Sequence, residues 1–300
     1  MNMYTERPRQ RSYGVVITGG GRGLGYALAR EFLFHGDRVL ITGRDGENLD
    51  LALESLKTEI KGCEIYGLCR SVNDTEDLGL FRSFVVTRLG QVDRWINNAG
   101  TAGLRKAPLW EIDEQDILET CTTNLFGSLL MSRLAIEIMS RQPSEDVPLY
   151  HIFNMGFSPS GARFSRSNVP HKASKLGVAA VSRFLRKELQ EQGLKAIGVH
   201  ELSPGLVKTG LLLRDTEADT REFLECVAES PEKVAAKLVL KIRGARSAGG
   251  RIRYRSLAGM GLHILTQFGL KKLVGPLREN LPFGKRQNSK LKSHNRTLHF

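Results

Sequence analysis

Tyr13-Gly-Val-Val-Ile-Thr-Gly-Gly-Gly-Arg-Gly-Leu-Gly25 decides the fold: a β-branched run enters a glycine-rich turn, and Tyr26-Ala-Leu-Ala-Arg-Glu-Phe-Leu33 continues it as an amphipathic helix. Glycines allow a tight turn and a close backbone approach to a pyrophosphate, while the free N–H groups and positive end of the helix face its charge. The reading is a strand and turn that hold a dinucleotide through Thr18, Gly19, Arg22, Gly23, Leu24 and Gly25; the alternative is an ordinary strand-to-helix turn.

Downstream, Arg38-Val-Leu-Ile-Thr42 reads as a second strand and Glu47 to Lys61 as a helix, which completes a βαβ unit. A site for NAD usually ends this strand on an acid that binds the ribose; here the residues are Thr42-Gly-Arg44. Arg22 and Arg44 suit a 2′-phosphate, so NADP(H) is the expected cofactor; two solvated arginines are the alternative. A third strand, Glu64 to Leu68, leads to Ser71-Val72 and a helix ending near Leu89-Gly90. Val92-Asp-Arg-Trp-Ile-Asn-Asn-Ala-Gly100 then reads as a strand whose end, Asn98, Ala99 and Gly100, passes close beneath a flat ring; a plain asparagine turn is the alternative.

A helix from about Asp113 to Arg141 carries Asn124 among apolar or small neighbours. Its amide marks either a local helix distortion or a hydrogen-bonded core asparagine, or else a group that fixes a water or a catalytic lysine. Asp146 to Asn154 and Leu194 to Leu202 supply two more strands, the second ending in Ser203-Pro204-Gly205. Strand–helix alternation at this spacing predicts an α/β fold: a doubly wound parallel sheet of the Rossmann type, with ligand at the strand C-termini. The Ser-, Gly- and Pro-rich stretch between these strands is too polar for core, and Lys175 opens the helix that follows it. His171 stands four residues before Lys175, on the same helix face, and makes a proton-transfer candidate beside a serine loop; unrelated surface polar residues are the alternative.

Three hundred residues with 41% hydrophobic content fit one α/β domain with an appendage. We divide the chain into an N-terminal tail (1–11), a nucleotide-binding domain (12–256), and an apolar segment with a basic tail (257–300). The four cysteines form no Cys-x-x-Cys and read as reduced core or near-core thiols, without a metal cluster or disulfide frame. No run of 18 apolar residues is present, and Met1 to Ser12 lacks the features of a signal or transit sequence. Residues 241–300 hold 14 Lys and Arg against a single acid, Glu279. Such a tail meets an anionic membrane surface or is a solvated end; no nucleic-acid-binding motif accompanies it. The segment 257–270 is too short to span a bilayer and reads as a helix on the protein's own core, a cap over the cleft, a subunit contact or an interfacial element.

Together these residues resemble the short-chain dehydrogenase/reductase family over about residues 12–255. Thr18–Gly25 is similar to its cofactor turn, Asn97-Asn-Ala-Gly100 to its sheet-stabilising segment, Asn124 to its helix asparagine, and Ser203-Pro-Gly-Leu-Val-Lys-Thr209 to its nicotinamide-side loop. That resemblance implies cofactor contacts from Ser71, Val72, Pro204, Gly205, Val207 and Thr209, and a catalytic set of Asn124, Ser158, His171 and Lys175, with Lys175 also on the ribose. His171 stands where the family has tyrosine, and either Ser158 or Ser160 holds the serine role. His151-Ile-Phe-Asn-Met155, Trp95-Ile-Asn-Asn-Ala-Gly100 and Val199-His-Glu-Leu-Ser-Pro-Gly-Leu-Val207 further resemble chlorophyll b reductases of plants and algae. This implies NADPH-dependent reduction of the C7 formyl group of chlorophyll b, a lipophilic pigment substrate, a chloroplast location at the stroma or thylakoid surface, and a homo- or hetero-oligomer with related reductases. The alternatives are a cytoplasmic protein, a non-catalytic NADPH-binding partner or sensor, and a reductase of another lipophilic carbonyl.

Overall fold

The computed structural model describes residues 11–157, 162, 165, 167–216, 218–256, 259 and 266. Alternation along the strands sorts side chains onto two faces of one sheet. Val15, Ile17, Val39, Ile41, Ile96 and Phe153 enter one buried cluster, and Val16, Leu40, Trp95 and Ile152 enter another. Both faces are apolar and both need cover, which is why these strands read as near-continuous hydrophobic runs. The strands are β1 (Gly14–Thr18), β2 (Arg38–Gly43), β3 (Ile65–Cys69), β4 (Arg94–Asn97), β5 (Tyr150–Met155), β6 (Ile197–Ser203) and β7 (Gly249–Arg253). They form one seven-stranded sheet in the order β3-β2-β1-β4-β5-β6-β7, and every neighbouring pair is parallel.

On one face, α1 (Gly23–Phe34) and α2 (Gly46–Glu59) contribute buried residues to the first cluster, joined by a helix near the C-terminal end of the described chain, Pro231–Arg243. The other face is covered by α3 (Leu78–Leu89), by α5 (Gly127–Met139), which follows the shorter α4 (Glu114–Cys121), and by α6 (Val169–Glu191). Two further helices, α7 (Gly210–Leu213) and α8 (Ala218–Val227), lie between β6 and Pro231–Arg243, which is α9. The strand order reverses between β1 and β4, so a crevice opens at the C-terminal ends of the strands there. This is the doubly wound parallel sheet that the sequence predicts. Among the described residues, no helix is long and apolar enough to cross a membrane.

Several boundaries differ from expectation for local reasons. β5 starts at Tyr150 rather than Asp146, because Pro148 fixes the backbone just upstream and has no N–H to donate. β6 starts at Ile197 rather than Leu194, because Gly193 adopts φ +74° and keeps Leu194 in a turn. β7 carries glycine and arginine instead of an apolar pattern, and the sequence reading missed it. The cysteines are less buried than expected: Cys69 is exposed and the others are only half-buried. The first part of the basic tail is not free charge, since Arg243 pairs with buried Asp37, Arg251 with Glu201 and Arg255 with Glu229. The segment 257–270 and the rest of the tail lie almost entirely outside the described residues.

Candidate active site

The glycine turn is built for close approach. Gly19 and Gly23 take φ of +68° and +59°, a region that β-carbons disfavour. A Cβ on Gly25 would collide with the Gly19 carbonyl oxygen and stand 2.5 Å from Asn98 Nδ2. Asn98 clasps the same turn: its Nδ2 donates to the carbonyl oxygens of Thr18 and Gly19, each at 3.0 Å. Thr18 Oγ1 in return accepts from the backbone N–H of Asn98 and Ala99, each at 3.1 Å. α1 begins after Arg22 with no side-chain cap and no acid in its first turn. Its N–H groups and positive end therefore suit an anion, and these residues fit a pyrophosphate. Thr209 joins the turn from the far strand: it caps α7, and a Cβ on Gly23 would meet its Cγ2 at 3.4 Å.

Arg44 follows β2 and pairs with Glu119 of α4 at 2.5 Å, largely in solvent. The next residue, Asp45, caps α2 by accepting from Asn48 N at 3.1 Å. Hydrogen bonds from Asn48 hold its carboxyl below the usual range, and the Arg22 guanidinium adds to the effect. Arg22 and Arg44 thus flank the end of β2, where the sequence reading puts them. Ser71 Oγ bonds Asn73 Oδ1 at 2.5 Å, and Val72 is buried against α5, where a Cβ on Gly127 would come within 2.6 Å of its Cγ2. After β6, Pro204 leads to Gly205 at φ +76°. Val207 packs into the core, so it offers a ligand backbone more than side chain.

α6 starts six residues earlier than the sequence suggests. Asn168 caps it, accepting from His171 N at 3.0 Å, and Pro170 sits in its first turn, where a missing N–H costs no helical bond. The end of the polar stretch is therefore buried helix, and His171 and Lys175 sit one turn apart inside it, 4% and 8% exposed. Asn124 lies in a single π-helical turn, Thr122–Phe126, between α4 and α5. Its Oδ1 accepts from Thr101 N at 2.9 Å, while Nδ2 donates to Thr101 O at 2.9 Å and to Ser174 Oγ at 3.0 Å. Ser174 Oγ in turn donates to His171 O at 3.0 Å. The helix distortion and the hydrogen-bonded core asparagine that the sequence offers as the structural reading of Asn124 occur together.

Lys175 Nζ donates to Met155 O at 3.1 Å. A Cβ on Gly100 would lie 3.0 Å from that Nζ and 2.9 Å from Asn124 Oδ1, so the three residues converge and a side chain there would have to displace one of the other two. Burial pushes the Lys175 ammonium down to about 8. The His171 ring stands edge-on to Phe157, with centroids 5.2 Å apart. Burial, then the charges of Lys175 and Lys106, push its imidazole down to about 3, so it is neutral in ordinary buffers. Burial is the larger of these causes. Its Nδ1 is buried without a hydrogen-bond partner among the described residues. Ser158 and Ser160 lie outside the described residues.

Sequence reasoning missed the polar layer beneath this site. Asn97 Nδ2 donates to Asn154 Oδ1 at 2.7 Å and to Ser132 Oγ at 2.9 Å, and Asn154 Nδ2 donates to Ser182 Oγ at 3.1 Å. Asn97 and Asn154 are register partners on β4 and β5, both fully or nearly buried. The available signal was an asparagine near the end of each of two adjacent apolar strands. Also missed was the fastening of the loop after β4: Asn168 Nδ2 donates to Ala102 O and Arg105 O, and Asp116 accepts from Leu104 N.

The short chain dehydrogenase family pattern matches residues 14–220. A probable chloroplastic chlorophyll(ide) b reductase of Arabidopsis thaliana is 36% identical over 270 residues, which is 85% of this chain and 53% of that protein. A second chloroplastic chlorophyll(ide) b reductase of Arabidopsis thaliana is 36% identical over 243 residues, 81% of this chain and 68% of that one. This chain therefore spans about half the length of the first relative. A metagenomic short-chain oxidoreductase, solved in complex with NADP, superposes with a TM-score of 0.61 at 22% identity, covering 81% of this chain and 98% of its own.

Proposed function

This chain belongs to the short-chain dehydrogenase family, and from that premise we propose that it is an NADPH-dependent reductase of a bulky carbonyl, the C7 formyl group of chlorophyll b, giving the 7-hydroxymethyl pigment. The observation that carries the reading is the convergence of Asn124, Gly100 and buried Lys175, one helical turn from His171, at the crevice edge of the sheet. The chlorophyll(ide) b reductase relatives supply the substrate class. Arg22 and Arg44, with no acid ending β2, support NADPH over NADH by about tenfold in affinity. The same relatives support a chloroplast location. Within the chain, residues 12–256 form the reductase domain, and the basic residues after it meet anionic membrane surface.

Bound NADPH supplies the hydride. The glycine turn and the first turn of α1 hold its pyrophosphate, and Lys175 holds the nicotinamide ribose while Gly100 keeps the approach open. A neutral imidazole donates at one ring nitrogen and accepts at the other. Through one water, His171 therefore relays a proton to the carbonyl oxygen as it gains charge, giving its N–H proton at one ring nitrogen as the other takes a proton from Lys175, the group nearest neutrality. The ring ends roughly 2 Å short of a phenol oxygen, a gap that one water spans. Asn124 and Ser174 fix the first turn of α6, and with it the His171 backbone. Ser158, or Ser160, orients the carbonyl.

Incubation with NADPH and detergent-solubilised chlorophyll b, followed by chromatography, should yield the 7-hydroxymethyl product. Tight NADPH binding with no product from this or any other carbonyl would favour a non-catalytic binding protein.

A further inference from the structure

Between α6 and the edge strands β6 and β7 lies a cavity of about 420 Å³. β6 stands two places beyond β4 in the sheet, so this cavity is apart from the crevice where the glycine turn sits. Phe157, Leu176 and Ala180 supply an apolar wall, and Phe157 also stands edge-on to the His171 ring. The polar wall is Glu201, Arg183, Arg186 and Arg251. Glu201 faces Arg251 across the β6–β7 pair, and Val199 faces Gly249 on the same side of the sheet. Arg186 lies over that glycine, where a Cβ would stand 2.8 Å from its Nη1. The glycine and arginine of β7, which serve no apolar core, both belong to this wall.

Glu201 is 5% exposed, and its two oxygens differ. Oε2 accepts from Arg251 Nε at 2.9 Å, whereas Oε1 is buried without a hydrogen-bond partner among the described residues. A carboxylate can only accept, so that oxygen requires a donor. The charges on the wall do not balance: three guanidinium groups meet one carboxylate. Arg251 gives Glu201 one N–H and keeps others. Arg183 rests on the Phe184 ring, 4.9 Å from its centroid, and Arg186 reaches far enough over β7 to oppose protonation of His200. Neither pairs with a carboxylate among the described residues, and the acid further along α6, Glu191, is taken by Lys187 at 3.4 Å. An occupant therefore has to bring negative charge to the arginines and an O–H to Glu201. Sulfate or a carboxylate brings only the charge and an alcohol only the hydroxyl, whereas phosphate, which keeps an O–H at neutral pH, or a hydroxylated phosphate ester brings both.

We propose that this cavity is a binding site for a hydroxyl-bearing phosphate, with Arg183, Arg186 and Arg251 on its charge and Glu201 Oε1 accepting its O–H. The site is separate from the cofactor crevice and does not depend on the reductase reading.

The test is calorimetric titration of the full chain with inorganic phosphate, sulfate and glycerol phosphate, in saturating NADP+ so that the crevice is closed to the added ion. Phosphate should bind saturably and about tenfold more tightly than sulfate. Arg186→Ala should weaken phosphate by about tenfold, and Arg183→Ala, at an exposed position where the fold is not at stake, by about threefold. Glu201→Gln should still bind both ions but bring them within about twofold of each other, because the acceptor that tells them apart is lost. Unchanged NADP+ titration and circular dichroism show that each variant is folded. Glycerol phosphate held more tightly than phosphate would assign the site to an ester, and the reverse order to the free ion; both keep the site. Phosphate that does not saturate, wild type that holds phosphate and sulfate alike, or Arg186→Ala and Arg183→Ala that titrate as wild type does would overturn it.

Discussion

The turn between β1 and α1 and the first turns of α6 lie at the same edge of one sheet, yet they are made of opposite materials. The first is backbone: glycines at positive φ, a helix end without a cap, and carbonyls clasped by Asn98. The second is buried side chain: Asn124, Ser174, His171 and Lys175 on a π-distorted helix and its neighbour, over a layer of asparagine and serine. Backbone sites tolerate added atoms poorly where the chain is packed on itself, whereas side-chain sites tolerate changes of size but not the loss of a partner.

That contrast predicts where substitutions hurt most. Gly25→Val should be the most damaging, since its Cβ has only the Gly19 carbonyl and Asn98 to displace; we expect a loss of about 3 kcal/mol or more in denaturant unfolding, with NADPH titration abolished. Gly23→Ala, where the nearest atom is Thr209 Cγ2 at 3.4 Å, should cost only the positive φ, about 1 kcal/mol. Similar losses at the two positions would mean that the turn is not packed as described.

Lys175→Met should separate activity from stability. The Lys175 pKa falls in the folded state, so the unfolded chain binds its proton more tightly, and stability contributed by this group rises with pH between about 8 and 10.5. Below about 8 the buried ammonium opposes folding, so Lys175→Met should raise Tm at pH 7 while the reduction rate falls by about 100-fold or more. A lower Tm would show that the ammonium stabilises the fold.

Asn97→Leu and Asn154→Leu should each cost about 1–3 kcal/mol by leaving buried partners unmatched, and the double variant should cost less than their sum. Chemical denaturation of all three measures the coupling, and strict additivity would dissolve the network. The smallest stability effect belongs to Arg44→Ala, whose partner Glu119 is solvent-exposed: within about 1 kcal/mol in unfolding. Arg44→Asp should nevertheless reverse the preference for NADPH, and equal titration curves for the two cofactors in wild type would remove the 2′-phosphate assignment.

The same contrast explains what could be read from the chain alone. Glycines advertise backbone geometry, so β1, the turn, α1 and the parallel sheet were legible, as were Asn124 and the pair His171 and Lys175 as functional candidates. The start of α6 was not, because Ser167, Asn168 and Pro170 look like loop until one sees Asn168 turned inward as a cap. The amide layer was not legible either, since asparagine near a strand end ordinarily marks a turn. β7 escaped because its Arg251 answers Glu201 of β6, a partner 50 residues away in the chain.

The central claim is that a buried, neutral imidazole takes the place of a phenol as proton donor. Single-turnover reduction of pigment by bound NADPH, followed across pH in wild type and His171→Ala, tests it most directly. The rate in wild type should stay level through the neutral range, because His171 titrates only near 3, and fall as pH rises through about 8 with loss of the Lys175 proton. His171→Ala should lower it by about 100-fold or more at every pH while NADPH still binds. A His171→Ala variant as fast as wild type, or a wild-type rate that falls through about 6.5, the ordinary imidazole pKa, would contradict the account.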